Sequence, residues 1–301
     1  MTDTTKIWIA VALCLLLAGA AIFTVAMMKL NWDFSRLNTH KTEANTYEIS
    51  EAFTGISIDT NVADILLVPS QDGMCRVECW EYATQKHSVT VKDGTMTIRV
   101  VDTRKWYDHI TFFEFNPPIV TLYLPQAEYE SLRIKLSTGD VKLSKGLQFS
   151  DIHITASTGD VECYASASGN ITISTSTGDI EAENISAADL SLSVTTGDTN
   201  LRNVTCHSLS STGNTGKLEM ENVVALGTFT ITRTTGDVKL QSCDAEDITI
   251  KTDTGNVTGT LRSSKIFITK ATTGRIQVPE TTTGGTCKIT TTTGDIKFTI
   301  Q

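Results

Sequence analysis

The sequence predicts an all-β fold: a parallel β-solenoid with about 19–20 residues per coil, preceded by one N-terminal transmembrane helix. Three observations carry this. From Thr138 onward, nine of the Thr-Gly dipeptides recur at a nearly fixed spacing, every step between them being 19 or 20 residues. Both flanks of each dipeptide alternate apolar and polar residues. A single long apolar run lies near the N-terminus.

The chain has 301 residues and a formal charge of −9. Residues 1–6 read as a short cytoplasmic tail. Ile7 to Met28 is an uncharged apolar run long enough to span a bilayer, with Trp8 and Trp32 at its borders as interfacial aromatics. A cleaved signal peptide is the rival reading: Ala18-Gly19-Ala20 has small residues, but apolar sequence continues past it. Cys14 follows Leu13 rather than a small residue, which argues against a lipoprotein attachment site. Lys6 lies before the span, and Lys29, Arg36 and Lys41 after it, a small bias that alone would place the large domain inside. A short tail before a single span commonly stays inside, and the Thr-rich array has the character of an exterior surface. The expected location is the cell membrane, single-pass, with the large domain extracellular.

Residues 29–48 are polar without a period and read as a stalk. The solenoid is expected over 49–301, as irregular coils over 49–131 and regular repeats over 132–301. Within the irregular part, Asn61-Val62-Ala63-Asp64 is a degenerate copy of the later turn, and Lys92-Asp93-Gly94 is a hairpin signal. The segment 105–118 interrupts the strands and concentrates Trp106, Tyr107, Phe112, Phe113 and Phe115. These rings are either ligand-contact aromatics or a cover for a solenoid face.

The regular repeats turn at Gly139, Gly159, Gly178, Gly197, Gly216, Gly236, Gly255, Gly274 and Gly294. A threonine precedes each, and Asp or Asn follows except at Lys217 and Arg275. Glycine adopts positive φ without a Cβ penalty, and Asp or Asn bonds nearby backbone, so the motif is a tight turn between strands. Before the turn, Leu132, Ile152, Ile171, Leu190, Leu209, Phe229, Ile248, Phe267 and Cys287 form an apolar row; two residues after each glycine a second row begins with Val141, Val161 and Ile180, Thr199 departing from it. Ser211 and Thr269 are polar exceptions in a third row. Ile185, Val204, Val223 and Cys243 imply a second corner or short third strand. One coil cannot bury its own apolar face, but coils stacked about 4.8 Å apart make a continuous core.

The repeats STGDVKL (137–143), STGDVEC (157–163), STGDIEA (176–182) and TTGDVKL (234–240), with the lead-in VTLYLPQAEYESLRIKLSTGD (120–140), resemble the DUF4097 family of adhesin-type domains over about residues 50–301. The resemblance implies a bacterial β-solenoid on a membrane anchor with an adhesin-like role, some relatives being encoded beside envelope-stress signalling systems.

The resulting expectation is a non-enzymatic cell-surface protein, an adhesin or a structural or interaction part of the envelope. The alternative is an accessory of envelope-stress signalling acting through a membrane partner, since the six-residue tail cannot signal alone. A polysaccharide-active enzyme would need clustered carboxylates, whereas the acids here are spread one per coil; Asp151, His153 and Asp160 are the nearest approach to a cluster. No catalytic residue or cofactor is assigned. Asp140, Asp160, Asp179 and Asp198 are weak calcium candidates against the reading that each caps its own turn. Cys163, Cys243 and Cys287 stand at core positions, Cys75 and Cys79 are too far apart along a strand to bridge, and no Cys-x2-Cys pair marks zinc. The acidic balance excludes a nucleic-acid partner. Expected partners are the membrane, a surface glycan or another envelope protein, and a second copy through a C-terminal coil left open at Gln301.

Overall fold

The computed structural model describes residues 3–32, 42–102 and 117–301. An α-helix, α1 (Asp3–Lys29), contains the apolar run and extends a turn beyond it at the N-terminal side. Thr4–Lys29 is long and apolar enough to cross a membrane, and its most apolar 18-residue stretch is unburied. At 1.5 Å per residue it reaches about 40 Å.

The rest is a parallel β-solenoid. In a regular coil a strand such as Gln148–Thr158 runs into the Thr-Gly turn and continues as Val161–Cys163. Successive coils pair in register. Leu132, Ile152, Ile171, Leu190, Leu209, Phe229 and Ile248 form one inward row, each at most 1% exposed. Val141, Val161, Ile180, Leu218, Val238 and Val257 form its counterpart after the turn, equally buried. Each such side chain contributes about 1.5–3 kcal/mol, and every coil repeats them. The implied second corner lies at Asn184, Asn203, Asn222 and Ser242, all with φ between 51° and 60°. Asn203 Nδ2 donates to Asn184 Oδ1 at 3.0 Å and Asn222 Nδ2 to Asn203 Oδ1 at 2.7 Å, an amide ladder up the corner.

The turn glycines are required twice over. Gly178 has φ 131°, and a Cβ there would lie inside contact distance of the Gly159 carbonyl oxygen one coil away. Its N–H donates to Thr196 O at 3.0 Å in the next coil.

Three polar departures from the core rows converge on one point. Arg233 is 1% exposed, and its Nη2 donates to Thr199 Oγ1 at 3.2 Å and Ser211 Oγ at 3.0 Å, while Nη1 donates to Thr232 O at 3.1 Å. Gly213 supplies the room, because a Cβ there would collide with the guanidinium. The Nε–H has no partner, and burial lowers the Arg233 pKa to about 10.

Both ends of the stack depart from chain order. At the C-terminal end the final strand pair, Gly285–Thr293 and Ile296–Ile300, inserts between Asp247–Thr254 with Val257–Leu261 on one side and Lys265–Thr273 with Ile276–Gln277 on the other. Gly284 and Gly285 permit the insertion: Cβ atoms there would run into the Ser264 and Glu246 carbonyls. The coil ending at Gln301 is therefore interior, which corrects the expectation of an open C-terminal coil. The exposed end is the penultimate coil, where Ile266, Ile268 and Ile276 are 39%, 54% and 45% exposed.

At the other end, β1 (Thr42–Ile49), β2 (Gly55–Val62), β3 (Asp64–Pro69), β4 (Cys75–Tyr82), β5 (Gln85–Lys92), β6 (Thr95–Asp102) and β7 (Ile119–Leu124) build the cap. The coil of β2 and β3 is sandwiched between β6 with β7 on its outer side and the first regular coil on its inner side. Beyond β6 lies β5, and beyond β7 lie β4 and then β1, all antiparallel. The segment 29–48, read as a polar stalk, thus holds all of β1 but Ile49, and part of the irregular region is an antiparallel cap rather than coils. The hairpin at Asp93-Gly94 forms with φ 50° and 73°, and Asp64 takes the turn-acid place in the degenerate turn, accepting from Asp140 N at 3.0 Å.

Two stability measurements follow from this packing. Gly178→Val should cost at least about 2 kcal/mol, combining positive-φ strain with a backbone collision, whereas Lys142→Thr, which removes an exposed pair with Glu162 and an ammonium contact with the Tyr164 ring, should cost about 1 kcal/mol or less; thermal unfolding by circular dichroism separates the two. Arg233→Met should leave the melting temperature unchanged or raise it, because a desolvated cation that makes no ion pair among the described residues, with only the field of Asp198 to offset its burial, gives way to an apolar side chain that fits the same space; a marked fall would show that the hydroxyl cage repays the desolvation.

Candidate functional site

The turn acids form a hydrogen-bonded staircase in two runs, parted at Lys217. Asp140 Oδ1 accepts from Asp160 N at 2.8 Å, Asp160 Oδ1 from Asp179 N at 2.7 Å, and Asp179 Oδ1 from Asp198 N at 2.7 Å. Asp198 Oδ1 then accepts from Lys217 N at 2.9 Å. The stairs resume as Asp237 to Asn256, Asn256 to Asp295, and Asp295 to Arg275. Each acid caps the turn of the next coil rather than its own. The four calcium candidates therefore each commit one oxygen to a backbone N–H. Lys217 and Arg275 fit because the position donates only its backbone N–H to the coil before it in the stairs; Arg275 adds a side-chain pair to Asp295 at 2.8 Å.

Asp151, His153 and Asp160 do not converge into a reactive set. Asp151 Oδ1 accepts from Asn170 N at 2.8 Å, Asp160 belongs to the staircase, and the His153 ring lies 3.4 Å from Thr155 Oγ1. All seven cysteines are free, and all but Cys14 are buried. Burial pushes the Cys163 thiol up to about 11 and the Cys287 thiol up to about 12, so these are core side chains. Trp106, Tyr107, Phe112, Phe113 and Phe115 lie outside the described residues.

Two features were not singled out by the sequence. One is an open groove of about 900 Å³ on the outer face of the post-turn strands, toward the exposed end. Lys217, Glu219, Lys239, Thr258, Gln277 and Lys297 line it with the turn groups Asp237, Asn256, Arg275 and Asp295. Register explains its shape: Lys239, Thr258, Lys297 and Gln277 occupy successive rungs, and the short Thr258 leaves a notch between two lysines. Lys217 is held near Asp198 and Glu219 at 3.8 and 3.5 Å, whereas Lys239 and Lys297 carry no ion pair among the described residues. The signal was present as the run of outward positions after each glycine, but only stacking order places Lys297 one rung from Thr258.

The second feature is a polar cluster sealed inside the N-terminal cap. Cys79, Glu81 and His87 are 2%, 0% and 3% exposed, and their ligand atoms all lie within 4.8 Å of one another. Glu81 Oε2 is 2.7 Å from His87 Nδ1 and accepts from His87 N at 2.5 Å. Among the described residues it is the group of His, Cys and carboxylate side chains close enough to hold a metal ion.

A family model described as Toastrack DUF4097 matches residues 53–254 and, in a second stretch, 209–301. The chain belongs to the Toastrack DUF4097 family. Among solved structures, a protein described as a “putative adhesin” from Bacteroides fragilis is 16% identical with a TM-score of 0.50, covering 86% of this chain and 97% of its own. Another so described, from Parabacteroides merdae, is 13% identical with a TM-score of 0.43, covering 74% of this chain and 97% of its own. A “putative lipid binding protein” from Parabacteroides distasonis is 13% identical with a TM-score of 0.37, covering 85% and 96%. At such identities the likeness is one of fold. No curated protein matches the chain. The Toastrack assignment agrees with the resemblance drawn from the TGD repeats, and the aromatic segment 105–118 falls within the matched stretch.

The staircase makes a measurable statement about calcium. Asp179→Asn should be tolerated, because Asn256 already serves as a stair, whereas Asp179→Ala should cost about 1 kcal/mol for a lost cap. Millimolar Ca²⁺ should leave the melting temperature of this Toastrack chain unchanged; a rise of several degrees, abolished by Asp179→Ala, would show a cation site along the stairs.

Proposed function

We propose that this protein is a non-enzymatic, membrane-anchored surface component whose solenoid binds an extended anionic polymer of the cell envelope. The observation that carries the reading is the groove between Lys217 and Lys297: Lys239 and Lys297, whose ammonium groups carry no ion pair among the described residues, flank a notch at Thr258. Elsewhere on the turn edge the acids are committed to the staircase. The groove is lined by four cationic side chains (Lys217, Lys239, Arg275 and Lys297), by amides and a hydroxyl, and by the carboxylates Glu219, Asp237 and Asp295. Asp237 and Asp295 are held in the staircase and Glu219 lies beside Lys217, which leaves Lys239 and Lys297 to meet a polymer with repeated anionic and hydroxyl groups. The openness of the groove suits a chain longer than the site.

Several facts support a surface role. The helix over Thr4–Lys29 is fit to cross a membrane, the chain enters the solenoid through the cap, and the exposed rows of Ser and Thr repeat coil after coil. The adhesin descriptions of similar folds agree with this. The large domain lies outside the cell in this reading, and membrane, glycan polymer and other envelope proteins are its partners.

The test is retention of the purified full chain on an array of envelope polysaccharides and anionic wall polymers. Retention should be selective for anionic polymers, fall at raised ionic strength, and drop about tenfold or more in Lys239→Glu with Lys297→Glu. Equal retention by wild type and variant would remove the groove from the account, and no retention at all would favour a protein partner in the membrane.

A further inference from the structure

The buried cluster in the cap has no part in the proposed groove. It draws on four strands. Cys79 and Glu81 project inward from β4, His87 comes from β5, Asn45 from β1 and Thr60 from β2. Asn45 Nδ2 donates to Glu81 Oε1 at 2.6 Å, and Thr60 Oγ1 lies 3.3 Å from His87 Nε2. The main chain of His87 is tied as well, its carbonyl accepting from the Tyr47 hydroxyl at 2.8 Å. A thiol, a carboxylate and an imidazole are thus oriented toward one another by groups on neighbouring strands, in an otherwise apolar interior.

We propose that Cys79, Glu81 and His87 form a binding site for one divalent cation of the zinc class, which ties β4 to β5 inside the antiparallel cap. The donor set is of the borderline-soft kind that zinc takes: one sulfur, one nitrogen and one oxygen. A tetrahedral ion with ordinary bond lengths holds such atoms about 3.3–3.6 Å apart. Ligand atoms already within 4.8 Å reach that by adjustments of about one ångström, leaving a fourth position for water. Asn45 and Thr60 stand where orienting partners of metal ligands stand, on the far carboxylate oxygen and the far ring nitrogen.

The charges balance inside a buried space. On binding, Cys79 releases its thiol proton to solvent. The imidazole presents an unprotonated Nδ1 and carries its proton on Nε2, toward Thr60. The dication is then matched by one thiolate and one carboxylate. Burial, with the Glu81 charge beside it, pushes the free Cys79 thiol up to about 12, so uptake is linked to proton release. The way in is β1, a half-buried edge strand paired only with β4. Asn45 links the site to β1, the first described element after the helix, through its bond to Glu81.

The experiment uses the full chain in detergent, stripped with a chelator and titrated with Co²⁺ and then Zn²⁺. One equivalent of Co²⁺ should bind and give a thiolate-to-cobalt charge-transfer band that Zn²⁺ displaces. Affinity should rise about tenfold per pH unit, as expected for one released proton. The band should vanish in Cys79→Ser, which spares the Glu81–His87 hydrogen bond, and persist in Cys163→Ser. Asn45→Ala should keep the band and weaken binding about 10–100-fold. Absence of a charge-transfer band in the wild type overturns the site, and so does a band that survives Cys79→Ser. Neither result bears on polymer retention, which is read on the opposite end of the solenoid.

Discussion

Everything in this solenoid depends on coils stacking closely enough for backbone to meet backbone at the Thr-Gly turn. Each turn glycine lies so near a backbone carbonyl of the neighbouring coil, that of Ala63 for Gly139 and of another turn glycine for the rest, that no side chain fits between them. That approach keeps the strands on both sides of the turn in register, and register puts every apolar row inside. The acid after the glycine closes the same contact from outside, by accepting the backbone N–H of its neighbour. Covalent sequence, local turn and long-range packing are one interaction here, repeated along an axis.

A repeating stack leaves the question of its ends, and the two ends answer it differently. At the N-terminal end the parallel edge is covered by antiparallel strands, so β5 and β4 satisfy β6 and β7. At the other end the last coil slips beneath the one before it, through a glycine pair that can pass between two backbones. The penultimate coil is left outermost, with isoleucines exposed on both its outward and inward sides. Backbone edges of this kind are a liability in open sheets, and here the exposed edge lies at the end remote from the point where the chain enters the solenoid.

The same economy shapes function. Acids that in isolation suggest ion binding or catalysis are occupied as stairs, and core polar residues surround a single buried arginine. Outside the stairs lie an outer face of hydroxyls and a groove whose Lys239 and Lys297 carry no ion pair among the described residues. The Glu81–His87 pair and the thiol beside it are the exception, ionisable groups buried together where the fold changes from parallel to antiparallel.

The sequence by itself determined the solenoid, its coil length, the turn glycines and the two main inward rows, because each is a local pattern repeated often enough to define its own period. It also carried the family membership, through the TGD repeats. Three matters were decided only by tertiary structure. Thr199, Ser211 and Arg233 lie in different coils, and nothing short of stacking shows that they meet. Stacking order at both ends departs from chain order, so no linear reading places Lys297 beside Thr258 or buries the coil that ends at Gln301. The union of Cys79, Glu81 and His87 with Asn45 and Thr60 requires antiparallel strands to fold over the first coils, and their spacing in the chain matches no ligand motif. Periodicity reports what each coil does in the same way; the ends and the exceptions are set by which coil lies next to which.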